Sequence, residues 1–285
     1  MSERVSVISD EELDRQDTEL KLLLEAIYLM YGYDFRAYSK ASVKRRVQHR
    51  MGMSGLKNIS QMIEKVVHDR EFFVLLLNDM TVNVTEMFRD PWFYKTFRDE
   101  VIPLLRTYPF IKIWHAGSST GEEIYSMAIL LTEEGLYDRT QIYATDIDKV
   151  VLDKARKGIY PLASFKQYSE NYLKAGGKAQ LSNYYTAKYD SVIMDQRLKK
   201  NIVFADHDLA TDQVFGEMQV VVCRNVIIYF DRELQRRVFT LFRDSLDLGG
   251  ILCLGSKETM RFSGCEEEFE VLSRESRIYR KKTRT

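Results

Sequence analysis

The sequence predicts an all-α N-terminal domain followed by a larger α/β domain, Rossmann-like, with a small antiparallel β insertion. Up to about residue 80 the apolar residues recur at i, i+3, i+4 and i+7, the spacing of amphipathic helices. From residue 109, short apolar runs alternate with amphipathic stretches, as in a mostly parallel sheet covered on both faces. One segment, 182–197 (SNYYTAKYDSVIMDQR), breaks that rhythm with tyrosines and β-branched residues suited to a small antiparallel excursion.

Each element follows from its own pattern. Leu20, Leu23, Leu24, Ile27 and Met30/Tyr31 mark a first helix, and Val43, Val47 and Met51 a second. Ile59, Met62, Ile63, Val66 and Val67 mark a third, and the run from Phe72 to Leu77 a fourth. These helices are expected to form a bundle over 1–80, joined by 81–108 to a second domain over 109–285. There, strands are expected at 111–116, 141–145, 201–205, 220–223 and 250–254, with helices at 122–134, 148–157 and 231–246 and the insertion at about 170–200.

Composition removes several classes of function. Lys plus Arg equals Asp plus Glu, 42 of each, so no global field draws the chain to nucleic acid or a membrane, and any charge argument is local. Cys223, Cys253 and Cys265 have no CxxC spacing, which argues against a disulfide framework or a zinc site; no metal is expected. The N-terminal stretch lacks an apolar signal core, and no segment reaches the ~18 apolar residues of a membrane span. A cytoplasmic protein without direct membrane insertion is expected.

Open parallel sheets bind ligands beyond the carboxyl ends of their strands. Here those ends carry Gly117-Ser118-Ser119-Thr120-Gly121-Glu122-Glu123, then Asp146 and Asp148, then Asp206-His207-Asp208, then Arg224-Asn225. Neither GxxxxGK[ST] nor GxGxxG is present, and acids at a helix entrance repel phosphate. The Gly117 loop suits a cationic, phosphate-free ligand approached closely by glycine backbone, and Asp146 is placed like the acid that accepts a ribose hydroxyl pair. S-adenosyl-L-methionine fits: two free ribose hydroxyls, an ammonium, a sulfonium and no phosphate. Asp148 is the better N-cap for the following helix, and Glu122 is expected to serve only the helix dipole. His115 and His207 are expected to pack or support, and Cys223 to be a small buried side chain.

Five segments, NVTEMFRD (83–90), GSSTGEEIYS (117–126), ATDID (144–148), KARKGIYP (154–161) and CRNVIIYFD (223–231), resemble in order and spacing the chemotaxis receptor methyltransferase family, CheR. Members of that family esterify glutamate side chains of chemoreceptors, and the resemblance covers about 15–282. It implies cofactor contacts from Asn83, Thr85, Arg89, Glu123, Asp146, Asp208, Leu209, Arg224 and Asn225, with Arg89 and Tyr229 near the transferred methyl group as catalytic residues. It also implies S-adenosyl-L-homocysteine as product and the helical cytoplasmic domain of a chemoreceptor as partner; a monomer is expected. Ile124 stands where the family usually has Pro, Met87 where it has an aromatic residue and Asp208 where some members have Asn; none of these removes a charged cofactor ligand. A related non-flagellar signalling pathway remains an alternative. So does a small-molecule or nucleic-acid methyltransferase, although the Asn-Pro-Pro-Tyr amino-methylation motif is absent.

The chemistry needs little machinery. A glutamate carboxylate, with a pKa of about 4.3, is already deprotonated at neutral pH, so no general base is required and alignment carries the reaction. Arg89 is suited to hold a carboxylate through a bidentate fork, and Tyr229 to orient an oxygen. Between Phe35 and Ile63 there are seven cations and no acid. On a helix through 42–51, Lys44, Arg45, Arg46 and Arg50 are expected to form a basic stripe that docks an acidic receptor helix, and its lack of interleaved aromatics counts against nucleic acid.

Overall fold

The computed structural model describes residues 10–81 and 83–283. They divide into two units, Met1–Val82 with Tyr229–Asp231, and Asn83–Ile228 with Arg232–Thr285.

The first unit is built from α1 (Asp10–Tyr31), α2 (Lys40–Met53), α3 (Ile59–His68) and α4 (Arg70–Met80). The side chains of Asn58 and Asp69 accept hydrogen bonds from Gln61 N–H and Phe72 N–H, capping α3 and α4; each such cap is worth about 1 kcal/mol. The four apolar stripes meet in one core that includes Leu23, Ile27, Val47, Met62, Val66 and Leu76. Of Met30 and Tyr31, the two candidates for the last position of the inner stripe, Met30 is exposed. Tyr31 takes the inner place, stacked on Phe73 at 3.7 Å with its hydroxyl donating to the Val66 carbonyl at 2.8 Å. Tyr229–Asp231 join this unit as a short extended piece, with Ser39 N–H donating to Tyr229 C=O and Asp231 N–H to Ala37 C=O at 2.8 and 2.9 Å.

The second unit starts at Asn83, so most of the segment expected to join two domains is part of this one. Its α5 (Pro91–Thr96), a π-helical turn (Phe97–Val101) and α6 (Ile102–Leu105) bury Phe93, Tyr94, Phe97, Val101 and Leu105 in the core. Then follow β1 (Ile111–Ala116), α7 (Glu122–Glu133), β2 (Thr140–Asp146), α8 (Lys149–Lys157), β3 (Ile159–Pro161), α9 (Phe165–Lys174), β4 (Tyr185–Lys188) and β5 (Ser191–Met194). The unit closes with β6 (Ile202–Asp206), β7 (Met218–Cys223), α10 (Arg232–Ser245), β8 (Leu246–Leu254), β9 (Phe269–Ser273) and β10 (Ile278–Lys281).

The main sheet has the order β6-β2-β1-β7-β8-β10-β9, its first five strands parallel and β10 antiparallel to both neighbours. Strands such as β1 and β7 are buried on both faces, which is why they read as unbroken apolar runs. The β9–β10 hairpin has no such run, and the sequence pattern missed it. The antiparallel insertion has the order β3-β5-β4 and begins at Ile159, earlier than expected, because Ile159 pairs with Ile193 across the intervening α9. No described helix is long and apolar enough to cross a membrane.

From β1 the chain steps outward to β2 and β6, then returns to lay β7 on the other side of β1. The order therefore reverses between β1 and β7, and the crevice beyond their carboxyl ends is where an open α/β sheet takes its ligand.

Candidate functional site

The loop after β1 forms one wall of the crevice. Gly117 has φ +81, and a Cβ there would lie 2.4 Å from Val226 Cγ2 in the loop after β7. At Gly121, φ +94, a Cβ would lie 2.8 Å from that of Ala155. Glycine thus lets two strand ends approach and leaves main chain facing the crevice. Asp146, at the end of β2, ties this loop down: its carboxylate accepts Ser119 N–H at 2.8 Å and Asp148 N–H at 3.0 Å. Ser119 Oγ lies 3.1 Å from Asn83 Oδ1, bringing the first residue of the NVTEMFRD segment to the same place. Asp148 caps α8 through Val150 N–H, leaving Asp146 to the crevice.

On the other side stands Arg224. Its guanidinium is buried, donates to Glu123 Oε2 at 2.9 Å, Asp90 Oδ2 at 2.8 Å and the Arg89 carbonyl at 3.2 Å, and lies 4.1 Å from the Phe93 ring centroid. Glu123 Oε1 shares a 3.1 Å hydrogen bond with His115 Nδ1, so His115 supports the site rather than merely packing. Burial alone would push the Glu123 carboxyl up, but the His115 bond and the Arg224 charge outweigh it and hold the group below the usual carboxylate range.

Two of the remaining acids are less well neutralised. Glu122, expected to serve only the helix dipole, is 6% exposed, accepts Thr120 Oγ1–H at 2.6 Å and is pushed by burial to about 7. Asp146 is pushed by burial to about 6, its backbone hydrogen bonds opposing the rise. Ionising either acid in place costs free energy that a bound cation or a pair of hydroxyl donors recovers.

Several residues that hold the crevice were not foreseen. Glu258, 2% exposed, accepts Val226 N–H at 2.8 Å, Ile227 N–H at 3.0 Å and Gly255 N–H at 2.6 Å, fixing the Arg224-Asn225 turn from behind. Ser126 Oγ accepts Phe88 N–H at 2.9 Å while donating to Glu122 C=O at 2.7 Å, pinning 83–90 to α7. Phe88, Asp90, Ser119 and Asn225 all have left-handed backbones, φ 53, 55, 48 and 62, though none is glycine. Such strain persists where the surroundings over-determine it, and here it clusters in three of the five sequence segments. The only sequence signal was the polarity of the strand ends; carboxylate-to-amide bonds across loops leave none.

The other expected residues fall as follows. Arg89 is half-buried, Nη1 donating to Val84 C=O at 3.1 Å. Thr85 lies half-buried between Asn83 and Arg89. Asp208 accepts Ala210 N–H at 2.8 Å, and Leu209 is buried. His207 N–H reaches Asp146 C=O at 3.3 Å, which places the end of β6 beside that of β2.

In the helical unit the expected basic stripe needs correction. Its counter-charges come from α1, α4 and the loop before α2: Arg36 pairs with Glu25 and with Asp34 in that loop, Lys40 with Asp17 at 2.5 Å, and Arg50 with Asp79 at 2.5 Å, while Lys44 stands 3.7 Å from Asp17. Arg46 is not on the surface at all. It is 6% exposed, bonds to the Met80 carbonyl and lies with its guanidinium 4.6 Å from the Tyr229 ring centroid, because one turn from Val43 and beside Val47 it falls on the inner face. Arg45 remains exposed and has no ion pair among the described residues.

These features fit S-adenosylmethionine. Glycine main chain floors the crevice, acids there outnumber its buried guanidinium, and the buried Ser118 hydroxyl and Arg224 Nε have no partner among the described residues. A family model described as "CheR methyltransferase, SAM binding domain" matches residues 83–278, and "CheR methyltransferase, all-alpha domain" matches 18–81. A Pseudomonas putida protein provisionally named methyltransferase Cher3 is 54% identical over 265 residues, 93% of this chain and 97% of that one. The chemotaxis protein methyltransferase of Salmonella typhimurium is 29% identical, covering 92% of this chain and 90% of its own. That of Escherichia coli is also 29% identical, covering 91% and 90%. The second unit is a methyltransferase domain that binds S-adenosylmethionine.

If Asp146 accepts the ribose hydroxyls, S-adenosylhomocysteine affinity is full above pH 7 and weakens as pH falls through about 6, where protonation removes the acceptor. The ligand-free protein has the opposite trend from this group, since a carboxyl raised in the fold disfavours the charged form. Asp146→Asn should weaken binding at neutral pH by ~1.5–3 kcal/mol and flatten that part of the pH profile in calorimetry. Unchanged affinity removes Asp146 from the site. Glu258→Gln points a donor at one of the three N–H groups and should lower stability by about 1–3 kcal/mol together with S-adenosylhomocysteine affinity. A variant equal to wild type in both melting and calorimetry would show that the turn stands without it.

Proposed function

Because the chain belongs to the CheR methyltransferase family, we propose that it transfers the methyl group of S-adenosylmethionine to glutamate carboxylates of chemoreceptor proteins in the cytoplasm. The observation that carries this reading is Arg89. It sits between two left-handed residues, Phe88 and Asp90, and has no ion pair among the described residues. A cation held under strain without a carboxylate suits a site whose substrate brings one.

The bound cofactor supplies a methyl group activated on a sulfonium. Asp146 anchors the ribose and Glu123, fixed by Arg224 and His115, lies toward the cationic end. Arg89 aligns the substrate carboxylate through its planar fork, and the ionised oxygen needs no base to attack. Tyr229 orients an oxygen with its hydroxyl, and Arg46, against its ring, fixes that side chain. Pairing of carboxylate with sulfonium must stay incomplete before reaction, since interactions equally strong in ground and transition states do not raise turnover. Arg45, exposed and without an ion pair among the described residues, contributes steering toward an acidic receptor helix.

The test is methyl transfer from labelled cofactor to cytoplasmic fragments of chemoreceptors, followed by alkali. A glutamate methyl ester releases its label as methanol; an alkali-stable label would sink the reading. Arg89→Lys keeps the charge and loses the fork, and should lower kcat/KM about 100-fold, or about 2.7 kcal/mol.

A further inference from the structure

Among the described residues, every crossover between parallel strands of the main sheet carries an α-helix except the one from β6 to β7. That stretch, 207–217, leaves the edge of the sheet and passes β2 and β1 to reach β7 with no helix or strand of its own. An irregular connection of this kind keeps one shape only where side chains pin it. Phe215 is one pin, its ring stacked on Trp114 at 5.3 Å and edge-on to Tyr143 at 5.5 Å. Arg237, on α10, is a second: its Nη2 donates to the Thr211 and Asp212 carbonyls at 2.9 and 3.1 Å.

His207 is the third. Its ring, 8% exposed, stands edge-on to Trp114 and Phe215 at 5.2 and 5.4 Å, and Nε2 lies 3.2 Å from the Gln213 carbonyl oxygen. A carbonyl only accepts, so Nε2 carries the proton and donates. In the neutral ring Nδ1 is then a buried acceptor, and it has no partner among the described residues. An apolar side chain would fill the same aromatic box without that orphaned atom. What histidine adds is the bond to Gln213, which closes 207–213 into a loop. Within it the Asp208 carboxylate accepts Ala210 N–H at 2.8 Å, Asp208 N–H donates to Asp212 Oδ2 at 2.9 Å, and Leu209 is buried.

The loop lies where the far end of the cofactor goes. With the cationic end toward Glu123 and the ribose on Asp146, as proposed above, a molecule extended along the strand ends carries its base on to β6, the next strand outward. His207 N–H donates to Asp146 C=O, which sets Asp208 and Leu209 directly beyond the ribose acid. An ionised carboxylate only accepts, and adenine has a 6-amino donor to offer it. We propose that His207 is a positioning residue for adenine: by closing 207–213 it holds Asp208 and Leu209 in the shape that reads the base; this rests on Asp146 as the ribose acid and not on the identity of the methyl acceptor.

The experiment is calorimetry on the full chain with S-adenosylhomocysteine and with S-inosylhomocysteine, in which a carbonyl replaces the 6-amino group, for wild type, His207→Gln, His207→Asn and Asp208→Ala. The glutamine amide nitrogen reaches the place of Nε2, whereas that of asparagine stops at the place of Nδ1. Both variants remove the ring from the aromatic box, so their melting temperatures should fall alike, and the difference between them reads the hydrogen bond. Wild type is expected to prefer the adenosyl ligand at least about tenfold, because a site built to accept a hydrogen bond rejects the analogue that lacks the donor. His207→Gln should keep that preference within about twofold, and His207→Asn should lose at least about fivefold of it. A residue that only stabilised the fold would weaken both ligands equally and leave the preference intact. Preference unchanged in His207→Asn, or lost as far in His207→Gln, overturns the positioning role. Asp208→Ala tells the two layers apart. Preference lost there but kept in His207→Asn removes His207 alone and leaves the base at the end of β6; full preference in Asp208→Ala, or none in the wild type, removes the base from that place and His207 with it.

Discussion

A single buried guanidinium holds the crevice together. Arg224 joins the end of β7 to the start of α7 through Glu123 and to the 83–90 segment through Asp90, with Phe93 beneath its flat face. A charge taken this far from water is tolerated only with its partners in place; removing one strands the others at a cost of about 3–5 kcal/mol. Sheet, helix and leading segment are thereby fixed in one geometry, and the remaining features of the site are arranged around that constraint.

What the arrangement leaves over is negative charge and backbone strain. Asp146 and Glu122 are held where ionisation is costly, while the loops between them adopt conformations that few side chains favour. A phosphate would worsen the first; a sulfonium or ammonium relieves it. The same frame explains why carboxylates such as Glu258 are committed to main-chain N–H groups. They supply rigidity behind the crevice without adding to the charge displayed in it.

The helical unit carries a different lesson about charge. Seven cations without an intervening acid look like an uncompensated field in one dimension, yet Asp17, Glu25, Asp34 and Asp79 meet four of them in three. Arg46, counted among the exposed cations, is the one that turns inward, where burial pushes its guanidinium below the usual value and the Tyr229 ring offers a π face instead of an acid.

The division into a helical part and an α/β part, the five parallel strands and the polar residues at their ends are all legible in the order of residues. Periodicity and strand-end composition are local properties, and a local pattern suffices to state them. The same order separates Asp148 as cap from Asp146 as crevice acid, because capping depends on a residue's place relative to the next helix. The partners of these residues emerge only on folding. The pairing of β3 with β5, the embrace of Arg224 by Glu123 and Asp90, the bonds from Val226 and Ile227 to Glu258 and the contact of Arg46 with Met80 and Tyr229 join residues far apart in the chain, while the hairpin β9–β10 is local in sequence but finds its place only as the edge of the sheet beside β8. Their energies depend on distance in space and on exclusion of water, and neither quantity exists until the chain has folded.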